Sequence, residues 1–424
     1  MKFTKYQVFV VAVLSFLQFT VILDFMILSP LGAFLLRDLH ISTAQFGGVV
    51  SAYAFSAGAS GLLAAGFADK FDRKRLLLFF YSGFVLGTLL CGIANGYPFL
   101  FAARMVTGLF GGVIGSISFA IIADLFPFEA RGRVMGFVMT SFAASQVMGI
   151  PLGLYLSNHW GWHAPFLMIV AVSAVVGVVI ALRLRPIDAH LKLPTEHNAF
   201  GHLWKTVTTA RYQWTFAATM LMATGGFMLM PFGSTFSVHN LGISLERLPI
   251  VYIVTGLVSI FGGPLLGRVS DAVGKYRTFC FGTTLAGVLV LYYCGLGITP
   301  LWIVVVLNAV LFLGLTARMI SSSALSSAIP APSDRGAFMS INSSLQQLSG
   351  GVASSAAGLI VVQTPEGPLA RYEILGYVVT TTMVMTMILL YKVHVMVKQS
   401  LGGGKLAPRA QMGLPPGDTG ARSR

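Results

Sequence analysis

The sequence predicts an all-α membrane protein with twelve transmembrane helices in two six-helix bundles. Three observations lead there. Of the 424 residues only 10% are charged and 55% are hydrophobic, and the mean hydropathy is +0.80. Twelve apolar stretches reach the length that a bilayer core demands, about 20 residues. The second half of the chain repeats the first in the same sense.

Composition narrows the class first. Soluble domains carry roughly 25% charged residues, so a water-soluble globular fold does not fit. Disorder needs high charge and little apolar content, the reverse of what is found. The 47 glycines suit closely packed membrane helices. Cys91, Cys280 and Cys294 all sit inside apolar runs, with neither disulfide nor metal spacing. The apolar start, Met1 to Leu23, is longer than a signal-peptide core, and no small-residue cleavage site follows it. It reads as a retained first span.

The expected spans are Gln7–Leu36, Phe46–Phe67, Leu76–Ala94, Phe99–Ala123, Val134–Leu156 and Pro165–Leu182. After a polar gap come Trp214–Phe236, Leu248–Leu266, Phe279–Gly297, Trp302–Ala324, Phe338–Val362 and Ile374–Tyr391. The runs are long and show no strict alternation, so they are helices and not barrel strands. The polar gap gives the domain organisation. Residues 1–184 form an N-terminal six-helix bundle, 185–212 a cytoplasmic linker and 213–396 a C-terminal six-helix bundle. Residues 397–424 form a disordered, Gly/Pro/Arg-rich cytoplasmic tail. Within the linker, Ala199–Thr208 is expected as a short helix on the membrane surface.

Charge sets the orientation. Lys70, Arg73, Lys74, Arg75, Arg131, Arg133, Arg268, Lys275, Arg277 and Arg335 fall on the same side as both termini. The other side holds only Arg37, Arg247 and Arg371. Both termini are therefore expected in the cytoplasm, with the chain in a bacterial-type plasma membrane. The net charge of +14 is then mostly a topology signal and not a nucleic-acid footprint.

The repeat is specific. Ala65-Gly66-Phe67-Ala68-Asp69-Lys70-Phe71-Asp72-Arg73 follows the second span, and Gly267-Arg268-Val269-Ser270-Asp271-Ala272-Val273-Gly274-Lys275 follows the eighth. Asp69 aligns with Asp271 at a shift of 202 residues. Pro30 and Gly32 match Pro231 and Gly233, and Arg131-Gly132 matches Arg335-Gly336. Transporters use such parallel repeats, with the substrate site between them near the midplane.

Two six-helix halves so related resemble the major facilitator superfamily of transporters. Within it the chain is similar to the bacterial drug:proton antiporter branch, including its sugar-efflux permease-like members. The residues that carry this are Leu23-Asp24 before Pro30, Arg104-Met105-Val106-Thr107-Gly108, Asp124-Leu125-Phe126-Pro127 and Gly149-Ile150-Pro151-Leu152-Gly153. The chain departs from the family pattern at Ala65, Lys70 and Asp72, and in the residues flanking Pro151.

Asp24, Arg104 and Arg318 are the charged side chains inside the expected spans. A charge there costs several kcal/mol unless it meets water or a partner, so each is a functional candidate. Asp24 lies five residues below Ser29 and Arg104 five residues past Phe99, each ~8 Å deep, so the two are expected to pair across a cavity. Desolvation favours the neutral acid and a neighbouring arginine the anion. Such a carboxylate can exchange a proton as its surroundings alternate. The expectation is that Asp24 carries the proton and Arg104 tunes it, and the resemblance implies the same. A buried ion pair that only holds the fold is the alternative. Arg318 and Gln146 are candidate cavity residues. Arg318 binds an anionic group or donates to backbone, and Gln146 reaches the cavity or packs.

The resemblance also implies a cytoplasmic gate. Asp69 docks on the start of the eleventh span, with Arg73 and Asp124 completing a charge network, and Asp271 and Lys275 as the second copy. Pro151 kinks the fifth span, with Gly149 and Gly153 as a close-packing face. Met220, Met222, Met228 and Met230 with Phe227 in the seventh span are lipid or core contacts, or adaptable cavity lining.

The function expected is secondary active transport: proton-coupled efflux of a small molecule by alternating access, by a monomer in a lipid bilayer. A proton-coupled importer or uniporter, and a transporter-like receptor or scaffold that moves nothing, are the alternatives. No nucleophile, metal or phosphate-loop pattern supports an enzyme, and no cofactor is expected.

Overall fold

The computed structural model describes residues 3–65, 67–188, 191, 199–331, 334–365 and 367–403, with backbone alone at 65, 69, 128, 129, 132, 199, 200 and 400–403. Helix α1, Lys5–Ile27, begins at a capping box. The Thr4 hydroxyl accepts from the Gln7 amide at 3.2 Å, and the Gln7 side chain accepts from the Thr4 amide at 3.0 Å. One span was expected over Gln7–Leu36, but the helix breaks at 28–31 and resumes as α2, Gly32–Asp38. Pro30 has no N–H to return to Met26, which accounts for the break.

Then follow α3 (Thr43–Ala65), α4 (Arg73–Gly92) and α5 (Tyr97–Leu125). Asp72 caps α4, accepting from the Arg75 amide at 2.8 Å and from the Ile187 amide at 2.7 Å. The residue that departs from the family pattern thus has a structural job, tying the start of α4 to the chain after the sixth span. The fifth span is α6 (Phe128–Ala144), a π turn (Ser145–Gly149) and α7 (Ile150–Trp160). Pro151 withholds the donor that would close the preceding α turn. The first half ends with α8, Ala164–Arg183.

A linker helix α9, Ala199–Thr208, leads to α10, Ala210–Leu229. Pro231 then makes a single 3-10 turn before α11, Gly233–His239, so the seventh span breaks as the first does. The remaining helices are α12 (Leu248–Val273), α13 (Lys275–Cys294), α14 (Leu301–Ser327), α15 (Arg335–Ile360) and α16 (Tyr372–Gly403). A hairpin of β1 (Val362–Gln363) against β2 (Leu369–Ala370) joins the last two.

Among the described residues eleven stretches are long and apolar enough to cross a bilayer. The twelfth span is α15, 26 residues long and rich in Ser and Gly. It lies along α3 and α10, so much of it never meets lipid and does not need the hydropathy of its neighbours. Elsewhere many large apolar side chains face outward, Leu182, Phe261 and Ile298 the most exposed of them. In such a fold close packing of small residues, not water exclusion, holds helices together.

The ends carrying Lys70–Arg75, Arg131 and Arg268–Arg277 define a basic face. Hydrogen bonds that join the two halves cluster toward the opposite face. Thr43 donates to the Val361 carbonyl at 2.6 Å, and Ser51 to the Gly351 carbonyl at 2.8 Å. Ser234 donates to the Ser29 carbonyl at 2.6 Å, Ser29 in turn to the Met230 carbonyl, and Asn158 to the Leu245 carbonyl at 3.3 Å. Both proline breaks, at Pro30 and Pro231, sit in this seal.

Candidate functional site

The centre of the first half is an ion pair. Arg104 of α5 donates from Nη1 to Asp24 Oδ2 of α1 at 2.7 Å, and neither residue has exposed surface. Thr88 of α4 donates to Asp24 Oδ1 at 3.2 Å. The guanidinium lies 4.6 Å from the ring centroid of Tyr53 on α3, and its Nε has no hydrogen-bond partner. Two glycines make this possible. A Cβ on Gly108 would lie 2.3 Å from the Tyr53 carbonyl, and one on Gly87 would lie 2.7 Å from the Thr107 amide. Bare backbone at these points draws α3 and α4 against α5, one turn from Arg104. The pair is therefore enclosed by α1, α3, α4 and α5. It was expected on facing cavity walls, and lies instead inside the first half. A buried pair of this kind is costly to break from either side, because the remaining charge is left without a partner.

Farther along α1, toward the basic face, the π turn packs on the helix. Ser145 donates to the Phe19 carbonyl at 3.2 Å. Gly149 and Gly153 face α1: a Cβ there would lie 2.6 Å from Leu23 and 2.4 Å from Ile27. On its other side the turn meets the second half, where a Cβ on Gly256 of α12 would lie 2.6 Å from Val147 and 3.4 Å from Gln146. Gln146 thus stands at the seam, 7% exposed. The two helices that pack on this turn each carry an uncharged polar group that charge alone does not mark. Gln18 on α1 is buried and its Nε2 has no partner, and Thr255 on α12 is buried with a free hydroxyl. Only a count of uncharged amides and hydroxyls within the spans would have found them.

Arg318 sits elsewhere. It is buried on α14 and stacks 5.7 Å from the centroid of Phe279 on α13, with its Nε unpartnered. From the sequence it is a candidate for a cavity anion contact or for a donor to backbone; here its guanidinium lies over Phe279, between α13 and α14. It has no acidic partner among the described residues.

At the basic face Arg73 donates from Nε to Asp124 Oδ2 at 3.2 Å and from Nη1 to the Ala68 carbonyl at 3.2 Å. The Asp69 side chain lies outside the described residues. Lys275 and Asp271 pair at 2.6 Å within one turn and are both solvent-exposed, so the second copy makes a local contact. The start of α15 is held from the linker: Asp334 accepts from Tyr212 Oη at 2.8 Å and lies 3.1 Å from His202 Nε2. Beside the opposite-face seal is a cleft of about 640 Å³ whose lining includes Arg37, Asp38, Asn158 and Glu246.

The profile described as the Major Facilitator Superfamily matches residues 14–354 and 215–405. The chain is 28% identical over 275 residues to the uncharacterized MFS-type transporter YceJ of Bacillus subtilis, covering 64% of this chain and 69% of that one. It is 26% identical over 268 residues to the putative transporter AraJ of Escherichia coli, 62% of this chain and 66% of that one. A shorter stretch is 34% identical to multidrug resistance protein 3 of B. subtilis, 31% of this chain and 26% of that one. Among solved structures, a bacterial homologue of the human lysosomal transporter Spinster, inward-facing and unoccupied, superposes with a TM-score of 0.69 at 17% identity, covering 93% of this chain and 97% of that one. A variant of the nucleoside transporter NupG gives 0.71 at 14% identity, covering 92% and 99%.

Proposed function

Because the chain belongs to the Major Facilitator Superfamily, we propose that it is a proton-coupled antiporter that exports a small molecule by alternating access. The observation that carries this reading is the isolated Asp24–Arg104 pair, bonded at 2.7 Å with no exposed surface. A carboxylate alone in the membrane with one fixed cation has two stable states, paired anion and neutral acid. Asp24 carries the proton and Arg104 sets the energy of its release. In the state seen here the pair has no exposed surface, so proton exchange belongs to a different step of the cycle, when rocking of the two halves opens a water path to it.

The moving units are residues 1–184 and 213–396, joined by 185–212, with 397–424 beyond them. The abundance of Lys and Arg at one face supports a cytoplasmic position for that face and for both termini, and we take the membrane to be a bacterial-type plasma membrane. The seal at the opposite face then corresponds to an inward-facing state. Asp69, Arg73 and Asp124, with Asp271 and Lys275, form the cytoplasmic gate that closes in the reverse state. The working unit is a monomer.

The test is solute transport by the purified chain in proteoliposomes, with and without an imposed pH gradient. Accumulation should follow the gradient in the parent protein and vanish in Asp24→Asn with the variant still folded and inserted. Gradient-driven accumulation that survives Asp24→Asn removes Asp24 from the coupling. Transport indifferent to pH in the parent supports the uniporter instead.

A further inference from the structure

Gln18 stands on α1, Gln146 in the π turn of the fifth span and Thr255 on α12 of the other half, and α1 and α12 both pack on that turn. The Ser145–Phe19 hydrogen bond at 3.2 Å joins the π turn to α1 at the residue after Gln18. The contact between Gly256 and Gln146 puts α12 beside the same turn. All three side chains are more than nine-tenths buried. Gln18 Nε2 and Thr255 Oγ1 have no hydrogen-bond partner. Where a Cβ would stand on Gly115 of α5, the only neighbour within 4 Å is Gln18 Nε2, at 3.6 Å, so open space adjoins the amide. Unsatisfied buried amides are costly, and native proteins keep few of them.

We propose that these groups form the solute-binding site, and that the solute is uncharged and rich in hydroxyl or amide groups. This rests on the reading of the chain as a transporter. A carboxamide offers a donor and an acceptor side by side, and two of them with a hydroxyl match a solute carrying both. Among the described residues no charged side chain is bonded to Gln18, Gln146 or Thr255. Asp24 lies six residues along α1, about 9 Å away, and is already paired. Arg318 is stacked on Phe279 of its own half. An anion would find no counter-charge here, and a cation would meet a membrane interior with two buried arginines against one buried aspartate.

The experiment offers proteoliposomes of the full chain two sets of size-matched solutes, with and without a pH gradient. One set is methyl β-D-glucoside, glucuronate and glucosamine. The other is nicotinamide, nicotinate and the N-methylated nicotinamide cation. Uptake above protein-free vesicles is expected for uncharged members only. It should fall roughly tenfold or more in Gln18→Leu and in Gln146→Leu, as when a buried hydrogen bond is lost. Should a leucine variant misfold, Gln146→Glu serves instead and shifts uptake toward the cationic members. Uptake confined to charged members, no uptake of any uncharged member, or uncharged uptake unchanged by all three substitutions overturns the proposal. Charged members moving with the pH gradient would leave the antiport reading standing and sink only the solute class. Uncharged uptake indifferent to pH would do the opposite.

Discussion

A carboxylate and a guanidinium 2.7 Å apart with no exposed surface at either make a strong pair only as a pair. Removing one partner leaves the other charged and dry, a loss of about 3–5 kcal/mol. Arg104→Leu should therefore lower the melting temperature in detergent sharply. The double variant Asp24→Leu/Arg104→Leu should recover much of the loss, because both charges then leave together. Equal damage in single and double variants would show that the pair does not interact as drawn. Asp24 and Arg104 stand out from sequence because a charge in an apolar run is expensive, and an expensive residue is conspicuous. Gln18 and Thr255 do not stand out, because uncharged polar residues are tolerated in spans and only geometry shows that theirs lack partners. Arg318 is as conspicuous as Arg104, yet its surroundings are set by how α13 packs on α14, which residue type alone does not encode.

At the scale of the element, glycine and proline decide where helices approach and where they break. A Cβ at Gly108 would meet the Tyr53 carbonyl at 2.3 Å, backbone that cannot swing aside. Gly108→Val should force α3 from α5 and displace Tyr53 from the Arg104 guanidinium. Loss of monodisperse protein, or a large fall in melting temperature, is the expected reading; a variant as stable as the parent would mean that α3 and α5 have room to part. Pro151→Ala restores a donor next to the π turn. It should leave the amount of folded protein unchanged but lower the transport rate, measured per molecule in vesicles, if the irregular turn is needed to hold Gln146 at the seam. Helix existence is legible from hydropathy, since lipid demands apolar length. The break after α1 and its counterpart after α10 were expected as continuous spans, because both sides of each break are equally apolar. The matching prolines at 30 and 231 carry the information that hydropathy does not. Likewise α15 is marked by its length and position in the repeat, while its serines and glycines hide it from an apolarity threshold.

At the scale of the whole molecule, two halves meet along α3 with α15 and along α12 with the π turn and α7. The Ser51 and Ser355 hydroxyls lie 2.8 Å apart across that seam. Cysteines at both positions, in a background with Cys91, Cys280 and Cys294 replaced by serine, should form a disulfide on oxidation. If the halves must part at this face, the cross-linked protein should transport nothing until a reductant is added. Full transport by the cross-linked protein would refute rocking about a central site.

The central claim is that Asp24 holds the coupled proton, and it is tested most directly by proton release. A transported solute is added to the detergent-purified chain in weakly buffered solution while a pH indicator is followed. The parent protein should release protons as the solute binds, and Asp24→Asn should bind the same solute and release none. Equal proton release from both proteins would contradict the claim.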